Sequence, residues 1–293
     1  MSKTDIRNRL ILVDFSTSLP GQSKKDKEQT ERVLAETNAQ RGSARATKDT
    51  YPHDIIKPIK AVQSGVRKWF YSQTVPFRGS LHALATTRFM DFQNEAKNKQ
   101  AAVHAAATGV IESYGAGEYT HESCWRHIIE YCKIWMGSMY DPRLYPSGPR
   151  EFLDAVTVSF DYSPVPHSTH LMLDLGQATV DQLQLQLDDD IKQACSDVKQ
   201  ELISNTVKVL RASAQSLSLE KGWKNTALTN LAAVAKKGLD YTLDEDPELL
   251  DLFREVAQFK DVDPDVLRES ASTKRDAISE IQRLTNNFNQ LQA

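Results

Sequence analysis

Val156-Thr-Val-Ser-Phe-Asp-Tyr162 alternates apolar and polar side chains. A period of two places Val156, Val158, Phe160 and Tyr162 on one face of a half-buried strand. Further along, the period changes. Val180, Leu183, Leu187, Ile191, Ala194, Val198, Leu202, Val209 and Ala212 recur at helical spacing, which predicts one helix from about Thr179 to Leu217. At roughly 1.5 Å per residue such a rod is about 50–60 Å long. A short sheet beside very long helices sets the expected class: α+β, mainly α, with a small antiparallel sheet of about three strands and a C-terminal helical bundle.

Two more segments read as partners for that first strand. Arg9-Leu-Ile-Leu-Val-Asp-Phe15 is too short an apolar run for a helix and stops before Leu19-Pro20-Gly21. Leu171, Leu173 and Leu175 alternate around Met172 and Asp174. Three strands is the usual minimum for a stable sheet.

Helices fill most of the remainder. Ser23 to about Asn38 could form one, with thin apolar content (Val33, Leu34), and residues 39–50 read as a mobile basic loop. Ile55, Ile59, Val62, Val66 and Trp69 form a stripe whose helix begins near Pro58. A longer helix is expected from Ser80 to Tyr114, ended by Gly115-Ala-Gly117. Trp125, Ile128, Cys132, Trp135 and Met139 mark another over about 120–139. After Gly222, a helix spans about Thr226–Leu239. Asp246-Pro247-Glu248 and Asp263-Pro264-Asp265 each combine an N-cap, a proline at the first helical position and an acidic first turn. The last helix carries Leu267, Ala271, Ile278, Ile281, Leu284, Phe288 and Leu291. The long rods are expected to pack on each other or on another chain in coiled-coil fashion. The expected division is 1–177, a mixed domain with a basic first part, and 178–293, a helical domain.

Composition narrows the function. Of 293 residues, 40% are hydrophobic and 26% charged, far from a disordered chain. No apolar run is long enough for a membrane span, and the N-terminus has no secretory h-region. Three cysteines suit a reducing cytoplasm better than a disulfide framework. Net charge is −3, yet residues 1–110 hold 18 Lys+Arg against 10 Asp+Glu. That asymmetry fits a polyanion-binding face beside a protein-binding part, two parts of one chain that attract each other, or head-to-tail contact between copies; the last predicts a homo-oligomer larger than a dimer at low salt.

Catalytic patterns are missing. There is no phosphate-binding Gly-x4-Gly-Lys-Ser/Thr loop and no Gly-x-Ser-x-Gly elbow. His121, Cys124 and His127 cannot all meet one ion on a helix, because i+6 has rotated away. His167 and His170 lack nearby carboxylates, and Asp188-Asp189-Asp190 point in different directions along a helix. No cofactor, metal or catalytic residue is expected, and the chain reads as a non-enzymatic interaction or scaffold protein. The alternative is a single-stranded nucleic-acid-binding or annealing protein. Its candidate residues are Lys24, Lys25, Lys27, Arg41, Arg45, Lys57, Lys60, Arg67, Lys68 and Arg78, interleaved with Trp69, Phe70, Tyr71 and Phe77.

Two stretches carry a resemblance. Arg9-Leu-Ile-Leu-Val-Asp-Phe-Ser-Thr-Ser-Leu19 followed by lysines, and Gly65-Val-Arg-Lys-Trp-Phe-Tyr-Ser-Gln-Thr-Val-Pro-Phe77, resemble an uncharacterised family of phages and bacteria. It is often encoded near a MoxR-like AAA+ ATPase and a von Willebrand A-domain protein. Trp69-Phe70-Tyr71-Ser72 stands where the family is richer in glycine. The resemblance implies a phage or mobile-element setting and an ATPase-linked or von Willebrand A-domain partner. It implies no catalytic residue.

Overall fold

The computed structural model describes residues 9–21, 23–115, 120–166, 177–219, 223–241 and 246–291. The protein is mainly α with a small antiparallel sheet. Strand order in the larger sheet is β4-β5-β1-β6, with β1 at Leu10–Ser18, β4 at Val75–Arg78, β5 at Leu81–Ala85 and β6 at Thr157–Pro164. β1 buries Leu10, Leu12 and Val13, and β6 buries Val158 and Phe160 while Thr157 and Asp161 face outward. The alternation of residues 156–162 is therefore that of a strand with one wet face. The segment 171–175 lies outside the described residues.

A hairpin replaces the start of one expected helix. β4 and β5 pair antiparallel, with Arg78 opposite Leu81 and Leu12 of β1 opposite Ala83. Gly79-Ser80 forms the two-residue turn, and Gly79 has φ +59°, a conformation that favours glycine. The helix predicted from Ser80 starts only at Phe89, as α3 (Phe89–Ser113). Phe92, Ala96, Val103, Ala107 and Val110 of α3 are buried. A second departure is a two-stranded ribbon, β2 (Ser23–Asp26) with β3 (Ala46–Asp49), flanking α1 (Lys27–Thr37). Part of the expected basic loop is thus a paired strand. Asp26 caps α1 by accepting from the Gln29 N–H, and α1 buries no residue.

By contact density the described chain forms two compact units that interleave in sequence: residues 1–14, 71–92 and 162–293 in one, 15–70 and 93–161 in the other. The first is dominated by α6 (Gln177–Ser218), which packs on α7 (Thr226–Tyr241) and α10 (Ala271–Gln290). Its main core joins Leu210, Leu231, Phe253, Ile281, Leu284 and Phe288. A second cluster seats Leu10, Leu12, Val75, Ala83 and Ala85 of the strands on Ile191, Val198 and Leu202 of α6. Asp246 and Asp263 cap α8 (Pro247–Ala257) and the short α9 (Pro264–Glu269) through their side chains. The last expected helix is broken at Ser270, whose hydroxyl accepts from Thr273 N–H and starts α10.

The other unit has an aromatic core. Phe15 stacks on Phe70 at 4.8 Å, and both lie against Phe160. Tyr51, Tyr145, Phe152 and Trp125 form a second group. α2 (His53–Gln73) and α4 (His121–Met136) bury three of the five residues of each expected stripe and depart from it at the others. α2 buries Ile55, Ile59, Gln63, Val66 and Phe70, leaving Val62 and Trp69 half-buried. α4 buries Trp125, Ile128, Cys132 and Met136, leaving Trp135 and Met139 each 45% exposed.

Candidate nucleic-acid interface

α2 begins five residues before Pro58, which therefore lies inside the helix. The proline leaves the Asp54 carbonyl without its usual donor, while the Asp54 carboxylate accepts from the Tyr114 hydroxyl at 2.7 Å. Opposite the buried stripe, the wet face carries Lys57, Lys60, Ser64, Arg67 and Lys68, all exposed. Among the described residues none of those four cations lies within ion-pair distance of a carboxylate. Elsewhere the pattern is different: Lys192 pairs with Asp189, Arg254 with Asp251, and Arg283 with Glu280 and Glu255.

Where β1 ends, Thr17, Ser18 and Leu19 meet this helix. With Lys60, Gln63, Ser64 and Arg67 they line an open depression of about 370 Å³. Gln63 is only 7% exposed and donates to the Ser18 carbonyl at 2.9 Å and the Thr157 carbonyl at 3.2 Å, which holds the strand end against the helix. Arg67 donates to Thr17 Oγ1 at 3.1 Å. Among the described residues no carboxylate lines the depression.

The expected basic residues do not form one group. Lys57, Lys60, Arg67 and Lys68 share α2. Lys24 and Lys25 lie on the β2–β3 ribbon, where Lys24 is opposite Lys48 and Lys25 opposite Thr47. A like-charged cross-strand pair costs stability. Lys27 opens α1, and Arg41 and Arg45 lie exposed in the connection to β3. Arg78 belongs to the other compact unit and pairs with Asp190 at 3.1 Å. The interleaved aromatics are mostly not surface platforms. Phe70 is buried, Phe77 packs against the cluster of strand and α6 residues, and Trp69 meets Phe160 edge-on with Lys99 5.9 Å from its ring. Tyr71 is the most exposed of the four rings, at 51%. Thr17, Ser18, Gln63 and Ser64 were not singled out from sequence, because hydroxyl and amide residues carry no periodic signal.

A different polar cluster closes the end of α2. Lys237 donates to the carbonyls of Thr74, at 2.6 Å, and Tyr71, at 3.3 Å. The Tyr241 hydroxyl lies within hydrogen-bond reach of the Gln73 and Ala83 carbonyls. At the end of α2, Lys237 and Tyr241 thus supply donors to carbonyls of Tyr71 and Gln73 in the last turn, and Tyr241 also reaches β5. Burial, then the nearby Arg88 charge, pull Lys237 down to about 8, with Glu201 opposing. Burial, then Lys237, also hold His82 below the usual histidine range, with Asp14 opposing.

The histidines and cysteines of α4 point apart. Cys124 and Cys132 are buried, and burial pushes the Cys132 thiol up to about 12. His121 faces Glu112, and His127 Nδ1 lies 3.0 Å from the Tyr114 carbonyl. His167 and His170 lie outside the described residues. Among the described residues no three His, Cys, Asp or Glu side chains are grouped to hold a metal ion. No helix among them is long and apolar enough to cross a membrane.

No family model, curated protein or solved structure matches this chain.

Proposed function

We propose that this protein is a non-enzymatic, cytoplasmic binding protein that holds single-stranded nucleic acid by its phosphate backbone. The observation that carries this reading is the exposed face of α2, where Lys57, Lys60, Arg67 and Lys68 have no carboxylate partner among the described residues. Such a face is electrostatically unsatisfied until anions approach it, and phosphates release condensed counterions when they do. With Phe70 and Phe77 taken up in packing, backbone contact outweighs base stacking, so binding should be tolerant of sequence. The test is a labelled single-stranded oligonucleotide titrated at low and high salt. We expect binding that weakens steeply with salt and falls in Lys57→Ala/Lys68→Ala. No binding at low salt removes the reading.

A second reading, a scaffold with a protein partner, has its own support. Ile134 is 77% exposed, and Trp135 and Met139 are each 45% exposed, around the end of α4. With Val33 of α1, Trp135 and Met139 border a groove of about 450 Å³. Val33, Trp135 and Met139 at one groove give an exposed apolar patch, the feature that marks an interaction surface. The resemblance makes an AAA+ ATPase or a von Willebrand A-domain protein the first partner to try, and a second copy of the chain the other.

A further inference from the structure

The geometry points to the depression between the end of β1 and α2 as a seat for one phosphate group, held by Lys60 and Arg67 with Thr17, Ser18 and Ser64 at its walls. This deepens the nucleic-acid reading and rests on it only for the claim that the phosphate belongs to a chain. Lys60, Ser64 and Arg67 are spaced four and three apart, so a single face of α2 presents all three. Arg67 spends one N–H on the neutral Thr17 hydroxyl, 3.1 Å away, and that bond orients the guanidinium while leaving its charge uncompensated. A guanidinium has five N–H donors in a rigid fork, so most remain for the two oxygens of a phosphate. The strand wall is fixed from beneath by Gln63, buried and bonded to the Ser18 and Thr157 carbonyls. Among the described residues the lining holds two cations, three hydroxyls, an amide and Leu19, and no carboxylate. That set suits an oxyanion and repels no part of it. At about 370 Å³ the depression is larger than a bare phosphate, leaving space for the attached sugar.

A backbone phosphate and a free phosphate compound offer the same chemistry, so the test separates them. Inorganic pyrophosphate and a deoxythymidine oligonucleotide are each titrated by calorimetry into wild type, Arg67→Ala, Arg67→Lys and Lys60→Ala/Arg67→Ala. Both residues are exposed, so thermal midpoints should stay unchanged and serve as the folding control. We expect both probes to bind wild type. The double variant should lose pyrophosphate binding and flatten the oligonucleotide salt slope by about 0.7, the value for one lost phosphate contact on a single strand. Arg67→Lys should fall between, because it keeps the charge without the fork. If the oligonucleotide binds wild type and the double variant equally, the seat is overturned and the nucleic-acid reading stands on the other lysines. If only pyrophosphate binds, and the double variant loses it, the seat stands and the nucleic-acid reading falls. If neither probe binds wild type, both fall.

Discussion

At the scale of single residues, Gly238 shows how little room the helical core leaves. A Cβ built there would lie 2.1 Å from Cε1 and 2.2 Å from Cδ1 of Phe253, a fully buried ring that also packs at 5.2 Å on Phe288. In an open helix, glycine to alanine gains up to about 1 kcal/mol through propensity. Here the close crossing of α7 and α8 reverses the sign. Gly238→Ala is expected to destabilise by about 2 kcal/mol or more, through overpacking. Urea unfolding measures it, and an unchanged or raised midpoint contradicts the close approach. Adding Phe253→Leu should recover part of the loss, because the two changes share one contact. Nothing in the sequence around Gly238 announces this. A glycine inside an apolar helical pattern looks the same whether it faces water or a phenyl ring.

At the scale of elements, strong local chemistry was legible and ambiguous apolar runs were not. Asp246-Pro247 and Asp263-Pro264 start helices because aspartate accepts from an early N–H and proline costs nothing where no donor is needed. The 156–162 alternation is a strand for an equally local reason. Leu81-His-Ala-Leu-Ala85 fits helix or strand, and only pairing with Val75–Arg78 and β1 decides for a strand. The stripes of α2 and α4 depart from the expected line at Val62, Trp69 and Trp135, since a wide apolar face admits more than one line through it. Of the interface, the basic residues were legible and their grouping was not: Arg78 is paired to Asp190, while Lys60 and Arg67 share a depression whose other wall comes from β1. Burial along the long helices is uneven too, which yields a graded prediction. Ile281 is fully buried among Phe253, Leu284 and Phe288, whereas Leu187, near the start of α6, is half-buried. Ile281→Asp is expected to cost about 3 kcal/mol or more by burying an unpaired charge. Leu187→Asp should cost under about 1.5 kcal/mol, since its carboxylate can reach water. Thermal unfolding of both variants checks this, and equal losses would mean that Leu187 in α6 is packed as tightly as Ile281 in α10.

At the scale of the whole molecule, the question is what would hold copies together. Charge asymmetry along the sequence predicts a head-to-tail contact, and such a contact should weaken with salt because exposed charges are screened over about 8 Å at physiological ionic strength. The structure shows how the acidic charge is spent in the helical unit. Asp189, Asp251, Asp265, Glu255 and Glu280 each pair with a nearby lysine or arginine, and Asp190 with Arg78. A carboxylate already sharing a cation offers less to a second one. The apolar side chains at the end of α4 have no such outlet: Ile134 and Trp135 stay in water although burying them would be favourable at about 25 cal/mol per Å². Self-association is therefore expected to run through this face and to survive salt. Light scattering across about 0.05–0.5 M salt should give a mass above the monomer throughout. Ile134→Ser/Trp135→Ser should return the chain to monomer with its unfolding midpoint nearly unchanged, because both residues are exposed. An assembly that dissolves as salt rises, and that the double variant leaves intact, would restore the head-to-tail contact. A monomer at every salt concentration would leave the α4 face to a different protein.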